Sequence, residues 1–202
     1  MFEPVTKSIF RWGTIDCESG IMMYSHLLLK DDYSVLIDPV AIPNLEKFVS
    51  ILGKPAGIII TNYPHLRGGP IMRKKLNIPL FIPDIEALDE DEKLTNTFID
   101  LWGINDAIKY DSSTQLPLSI RAIRIPNRHE MALKYLDYLI VGDSAYGVNG
   151  KLTYYPKGIW PDETNRAKVT EESLSPIIRS TNVKGLLSGH NEDIAENLQG
   201  MV

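Results

Sequence analysis

Cysteine is almost missing: Cys17 is the only one in 202 residues. An internal disulfide and a cysteine metal cluster are therefore both excluded. Long apolar runs are missing too, since none approaches the roughly 20 residues that a membrane helix needs. The start, Met1 to Ile9, has no basic stretch followed by an apolar one, so no signal peptide is expected. There is no surplus of positive charge; the formal net charge of -5 gives no electrostatic footprint for nucleic acid. No Lys-Ser/Thr pair follows Gly68-Gly69, which excludes a Walker-type phosphate loop. Internal repeats and low-complexity segments are also absent. What remains is an ordinary globular composition, 44% hydrophobic and 23% charged. The expectation is one domain, 1–202, in the cytoplasm, with no membrane and no nucleic-acid partner.

The chain alternates between short apolar runs and helical periodicity. Ser8 to Thr14 and Ile21 to Lys30 read as antiparallel strands. Ser34 to Ile37 follows as a third after the Asp31-Asp32 turn. Pro43 opens a helix whose Leu45, Phe48, Val49 and Leu52 form one apolar stripe, stopped by Gly53 and Pro55. Ile58-Ile59-Ile60 is a β-branched run with turn signals after it, which reads as a strand buried on both faces. A basic helix, Ile71 to Leu76, leads to a strand at Ile78 to Ile82, so the middle of the chain is layered α/β with crossover connections. Asp89-Glu90-Asp91-Glu92 reads as a solvated face.

From Ile108 the pattern returns to strands, at Leu118 to Ile125, Met131 to Leu136 and Tyr138 to Val141. Gly147 to Asn165 reads as an extended surface loop or partial lid. Thr170 is expected to cap a helix, with Val169 and Leu174 as its hydrophobic staple. A last strand, Gly185 to Ser188, is expected to precede a closing helix, Asn191 to Leu198.

Polar groups gather after the strands: Thr61 to Arg67, Gly142-Asp143-Ser144, Ser188 to Asp193, and Ile125 to Glu130. Loops at one end of the strands share a cleft in a layered fold, so these groups can converge. His and Asp there are candidates for metal or acid–base work. Taken alone, each is more simply a helix cap or a solvated group. Ser144 fits the G-x-S-x-G nucleophile elbow poorly, because the second glycine, Gly147, comes one place late. His26, inside a strand pattern, is expected to be structural. His129-Glu130 is a conceivable acid–base pair, although neighbours on a strand face opposite ways.

The order of these pieces resembles the metallo-β-lactamase superfamily, an αββα sandwich used mainly by metal-dependent hydrolases. That family's strands end in T-H-x-H-x-D-H-x-G-G, P-G-H, G-D and G-H, in this order. The matching pieces are Ile58 to Thr61 with Gly68-Gly69, Ile125 to Arg128, Ile140 to Asp143, and Leu187 to His190. Leu36-Ile37-Asp38 fits the strand before the first helix. The resemblance spans about Ile21 to Glu192 and implies a metallo-β-lactamase-like αββα fold.

Most of the family's metal ligands are substituted. Asp143 and His190 stand at matching positions and are the candidates for catalysis and metal binding. Aligned on Thr61, Asn62 and Pro64 replace the first two histidines and Leu66-Arg67 replace the Asp-His pair. Aligned on Gly68-Gly69, the segment is one residue short and His65 falls at the Asp position. In neither alignment does His65 occupy a family His position. Arg128 stands where the P-G-H histidine belongs, with His129 one place later. Permanent cations at Arg67 and Arg128 would repel a second metal. Two expectations follow. One is a hydrolase of ester, thioester or phosphoester bonds with at most one zinc, manganese or iron ion, held by Asp143, His190 and a displaced His65 or His129. In it Asn62, Arg67 and Arg128 would contact a small-molecule substrate. The other is an inactive scaffold, without metal, in which an arginine pairs with Asp143 and the cleft takes an anionic ligand or a protein partner.

Overall fold

The computed structural model describes residues 2–17, 19–84, 96–126, 128–154 and 163–202. The strands β1 (Glu3–Thr6), β2 (Ile9–Ile15), β3 (Met22–Lys30) and β4 (Tyr33–Ile37) form an antiparallel meander. Three parallel strands extend the same sheet: β5 (Lys54–Ile59), β6 (Leu80–Pro83) and β7 (Ile108–Tyr110). The helices α1 (Leu45–Leu52) and α2 (Gly69–Leu76) provide the crossovers between β4, β5 and β6, and α3 (Asn96–Trp102) lies between β6 and β7. A second sheet has the order β13-β10-β9-β8, from β8 (Arg121–Arg124), β9 (Met131–Tyr135), β10 (Tyr138–Val141) and β13 (Gly185–Ser188). The helix α4 (Glu163–Thr181) precedes β13.

Three apolar layers explain the stacking. Ile9, Leu28, Ile37, Ile59 and Tyr110 of the first sheet meet Leu133, Tyr138, Ile140 and Leu187 of the second in one buried cluster. The other face of the first sheet, with Leu27, Leu36, Ile58 and Ile60, packs on Leu45, Val49 and Met72 of α1 and α2. The other face of the second sheet, with Leu139, Val141 and Leu186, packs on Leu174 and Ile178 of α4. The result is an αββα sandwich. Each fully buried aliphatic side chain is worth about 1.5–3 kcal/mol, so these layers fix where the polar strand ends come to lie. Among the described residues, no helix is long and apolar enough to cross a membrane.

Several local expectations change. Gly147 to Asn165 does not begin as a loop: β11 (Ala145–Val148) and β12 (Lys151–Tyr154) form a hairpin. Its Asn149-Gly150 turn has positive φ at both residues, the conformation that favours an Asn-Gly pair in a two-residue hairpin. Residues 155–162 and the acidic run at 89–92 lie outside the described residues. Thr170 caps nothing, because α4 begins at Glu163; its Oγ1 donates instead to the Arg166 carbonyl at 2.8 Å. The α1 stripe is only half buried: Leu45 and Val49 are in the core, while Phe48 is 49% exposed and packs on the Phe2 ring.

The closing helix Asn191 to Leu198 does not form. The amide and carbonyl of Ile194 each bond Leu186 at 2.8 Å, so the segment covers the open edge of β13. A 3-10 turn, Leu198–Met201, follows. Ile194 and Leu198 still reach the core, the first from a β-bridge to Leu186 and the second from the start of the 3-10 turn.

Candidate functional site

The site begins at Asp38, just past β4, where a left-handed residue (φ 46°) turns the chain out of the sheet. Its carboxylate accepts the Thr61 amide at 2.7 Å, the Thr61 hydroxyl at 2.6 Å and His65 Nδ1 at 2.9 Å. Asn62 then caps a 3-10 turn, Tyr63–Leu66, by accepting the His65 amide at 3.0 Å. These bonds lift the His65 ring from the end of β5 toward the second sheet. His65 is buried, 3% exposed.

Two loops of the second sheet complete the group. Asp143 follows β10, and its Oδ1 lies 3.0 Å from both His65 Nε2 and His190 Nε2. Its Oδ2 accepts from Asn62 Nδ2 at 2.7 Å. His190 follows β13 and donates from Nδ1 to the Met22 carbonyl at 3.0 Å. The donor atoms of His65, Asp143 and His190 all lie within 4.8 Å of one another. Gly142 and Gly189 make this approach possible. A Cβ on Gly142 would sit 2.5 Å from Thr61 Oγ1, and one on Gly189 would sit 2.5 Å from His65 Cε1.

Arg67 reaches the same point from a positive φ of 41°. Its Nη1 donates to the Tyr24 carbonyl at 2.7 Å, while Nη2 lies 3.0 Å from His65 Nε2 and 3.4 Å from His190 Nε2. The guanidinium thus faces the two nitrogens rather than forming a direct pair with Asp143. Among the described residues, His129 is not part of the converging group. The Arg128 amide donates to the Ile125 carbonyl at 3.3 Å. The residue turned inward is Glu130, 1% exposed. Arg128 acts electrostatically on Glu130, drawing its carboxyl down where burial and the Asp143 charge push it up.

The electrostatics follow from this packing. Burial and Arg67 push His65 down, yet Asp143 and Asp38 outweigh them and raise it to about 9. Burial would raise Asp143, but the charges and hydrogen bonds of His65 and His190 hold it well below the usual carboxylate range. The two partners therefore agree on an imidazolium–carboxylate pair when only protons are present. Arg67 is lowered by burial against the pull of Asp38 and Asp143.

Ser144 is no nucleophile in this setting: it is fully buried and donates to Glu130 Oε2 at 2.8 Å. His26 is structural, its Nε2 on the Asp193 carboxylate at 3.1 Å. Asp193 also accepts the Ser188 amide at 2.8 Å and lies 3.6 Å from Arg11 Nε, which ties the His190 loop to β2 and β3. Asp38 and Glu130 were the residues hardest to assign from sequence. The signals available were an Asp closing an S-V-L-I strand, in the L-I-D of the resembled pattern, and a Glu just ahead of a strand, beside His129.

The donor set fits a single divalent ion. Two imidazoles and a carboxylate leave an open position, as catalytic sites require. Both Nδ1 atoms are held by oxygen acceptors, the usual way a protein aims Nε2 at a metal. Arg67, with five donors and no acceptor, disfavours a second ion beside it.

No protein-family model matches the sequence, and no curated protein matches it. Solved structures do. The metallo-β-lactamase TMB-1 superposes with a TM-score of 0.68 at 13% identity, over 96% of this chain and 90% of its own. A metallo-β-lactamase from Pontibacter korlensis gives 0.64 at 11% identity, over 97% and 94%. FIM-1 from Pseudomonas aeruginosa, in a mono-zinc form, gives 0.63 at 13% identity, over 96% and 88%. At these identities the likeness is one of fold.

Proposed function

We propose that this metallo-β-lactamase-fold protein is a hydrolase that works with one divalent ion, zinc, manganese or iron(II), held by His65, Asp143 and His190. One observation carries the reading. Each histidine has Nδ1 committed to an oxygen acceptor, and each Nε2 lies 3.0 Å from the same oxygen of Asp143. Neutral imidazoles held this way point lone pairs at a carboxylate, so a proton or a cation has to stand between them. A divalent ion bound there supplies Lewis acidity and a water acidic enough to act as a nucleophile near neutral pH.

The chain's own groups set the rest. Asp38 and the Met22 carbonyl keep both imidazoles in the tautomer that frees Nε2. Asn62 holds the second oxygen of Asp143 and keeps the carboxylate from turning away. Arg67 presents a cation beside the donor group, which suits a substrate with a carboxylate or phosphate end. The substrate class is a small ester, thioester or phosphoester, and the expected location is the cytoplasm, with no nucleic-acid partner.

A second reading rests on Arg67 Nη2, 3.0 Å from His65 Nε2. There the guanidinium stands in for the ion, and the fold is a scaffold that binds anions without catalysis. Metal analysis separates the two. Protein purified without chelator and dialysed against zinc, manganese or iron(II) should hold about one ion per chain. The Asp143→Ala and His190→Ala variants should lose it. No uptake of any of the three ions would overturn the hydrolase reading and favour the scaffold.

A further inference from the structure

Directly after β10 the chain presents three consecutive backbone amides, and one side chain takes all of them. The Gly142 amide donates to Glu130 Oε1 at 2.5 Å, and the Asp143 and Ser144 amides donate to Oε2 at 3.0 Å each. The Ser144 hydroxyl adds a fourth bond, to Oε2 at 2.8 Å. Glu130 and Ser144 are both buried, at 1% and 0% exposure. Consecutive amides wrapped on one anion form a nest, which fixes the backbone they belong to. The middle residue of this nest is Asp143, whose side chain leaves toward His65, His190 and Asn62.

From this geometry we infer that Glu130 is a positioning residue: it clamps the Gly142–Ser144 turn so that the Asp143 carboxylate meets both imidazoles. The inference rests on the metal-site reading for its consequence, though not for its geometry. The four donors are spread over both carboxylate oxygens, and an amide side chain, with one oxygen, could not accept them all. The donor set is that of a carboxylate acceptor, held there although burial and the nearby Asp143 charge push the Glu130 carboxyl up. Charge-assisted bonds are shorter and about twice as strong as neutral ones, so the turn is held more stiffly than an amide would hold it.

Glu130→Gln tests this. The variant keeps the shape but puts an NH2 group against amide donors. Three measurements on full-length protein are needed: thermal unfolding, zinc affinity by competition with a chromophoric chelator, and the visible spectrum of the cobalt(II) form. The expected result is folded protein with zinc Kd raised about 10- to 100-fold and an altered cobalt spectrum. Unchanged affinity and spectrum with only a lowered Tm would reduce Glu130 to a structural cap and overturn the inference. If Glu130→Gln does not fold, Ser144→Ala decides. It removes one of the four bonds, should raise Kd by a smaller factor, and overturns the inference if Kd is unchanged.

If the wild-type protein takes up no metal, the functional reading fails but the clamp is still testable. NMR of the metal-free protein should then show faster exchange of the 142–144 amides and shifted His65 and His190 ring signals in the variant, with the Leu133 and Ile140 amides unmoved. Ring signals that stay in place would overturn the inference on that ground alone.

Discussion

His65 donates from Nδ1 to Asp38 across 2.9 Å, and that one bond turns the opposite nitrogen of the ring toward Asp143. The first sheet thereby hands an imidazole to a carboxylate of the second sheet, and the cleft between their strand ends becomes a site.

The pair makes stability depend on alkaline pH. His65 is raised from 6.5 to about 9, by Asp143 and Asp38 acting against burial and Arg67. A pKa raised on folding stabilises fully below the unfolded value, and the contribution is lost as pH rises through the folded one. Urea titrations of metal-free protein should therefore show stability falling between pH 6.5 and about 9. His65→Gln should flatten that limb. An equal decline in the variant would assign it to another group. Metal uptake in the same range should release protons, since Nε2 must lose its hydrogen to bind.

Gly189→Ala should damage the site more than the fold. The added methyl would meet His65 Cε1 at 2.5 Å and the Gly142 carbonyl at 2.7 Å, and overpacking of this kind costs about 1–3 kcal/mol. The ring is the softer neighbour, so it should be displaced from Asp143. Zinc affinity should fall about 10- to 100-fold, as measured by competition titration. A variant with wild-type affinity would show that the ring has room to give.

Asp193→Asn should loosen the His190 loop. The Asp193 carboxyl is pushed up by burial, but the His26 charge and hydrogen bond, Arg11 and the Ser188 amide outweigh this and hold it below 3.8. A depressed pKa stabilises above the unfolded value and is lost as pH falls through the folded one. Breaking a buried pair costs about 3–5 kcal/mol. Denaturation at pH 7 should show that loss, and the acid limb below pH 3.8 should become shallower in the variant. Wild-type stability would contradict a structural role for the cluster.

Much of the fold was legible because buried strands announce themselves. Tyr138 to Val141 and Gly185 to Ser188 lie where their apolar runs placed them, since desolvation acts on each run locally. Ile58-Ile59 closes a strand that starts earlier, at Lys54. Other pieces were not legible. Asn191 to Leu198 carries Ile194 and Leu198 at helical spacing, but the unpaired edge of β13 claims its backbone. Asn149-Gly150 is a local hairpin signal that the surrounding Gly- and Tyr-rich composition obscured.

By itself, the sequence determined a layered α/β order and the polar character of the strand ends, because periodicity and turn chemistry are local properties. The αββα arrangement was implied only by the resemblance in motif order. Which polar residues meet was decided by tertiary structure alone. On paper His65 and His129 are both displaced ligand candidates. The 3-10 turn capped by Asn62 and the anchor at Asp38 carry the first into the cleft. In the other loop, the clamp on Gly142 to Ser144 turns Glu130 inward, and His129 stands outside the converging group. Apart from the local Asn62 cap, that choice depends on hydrogen bonds between residues 12 to 81 positions apart, a range no local pattern reports.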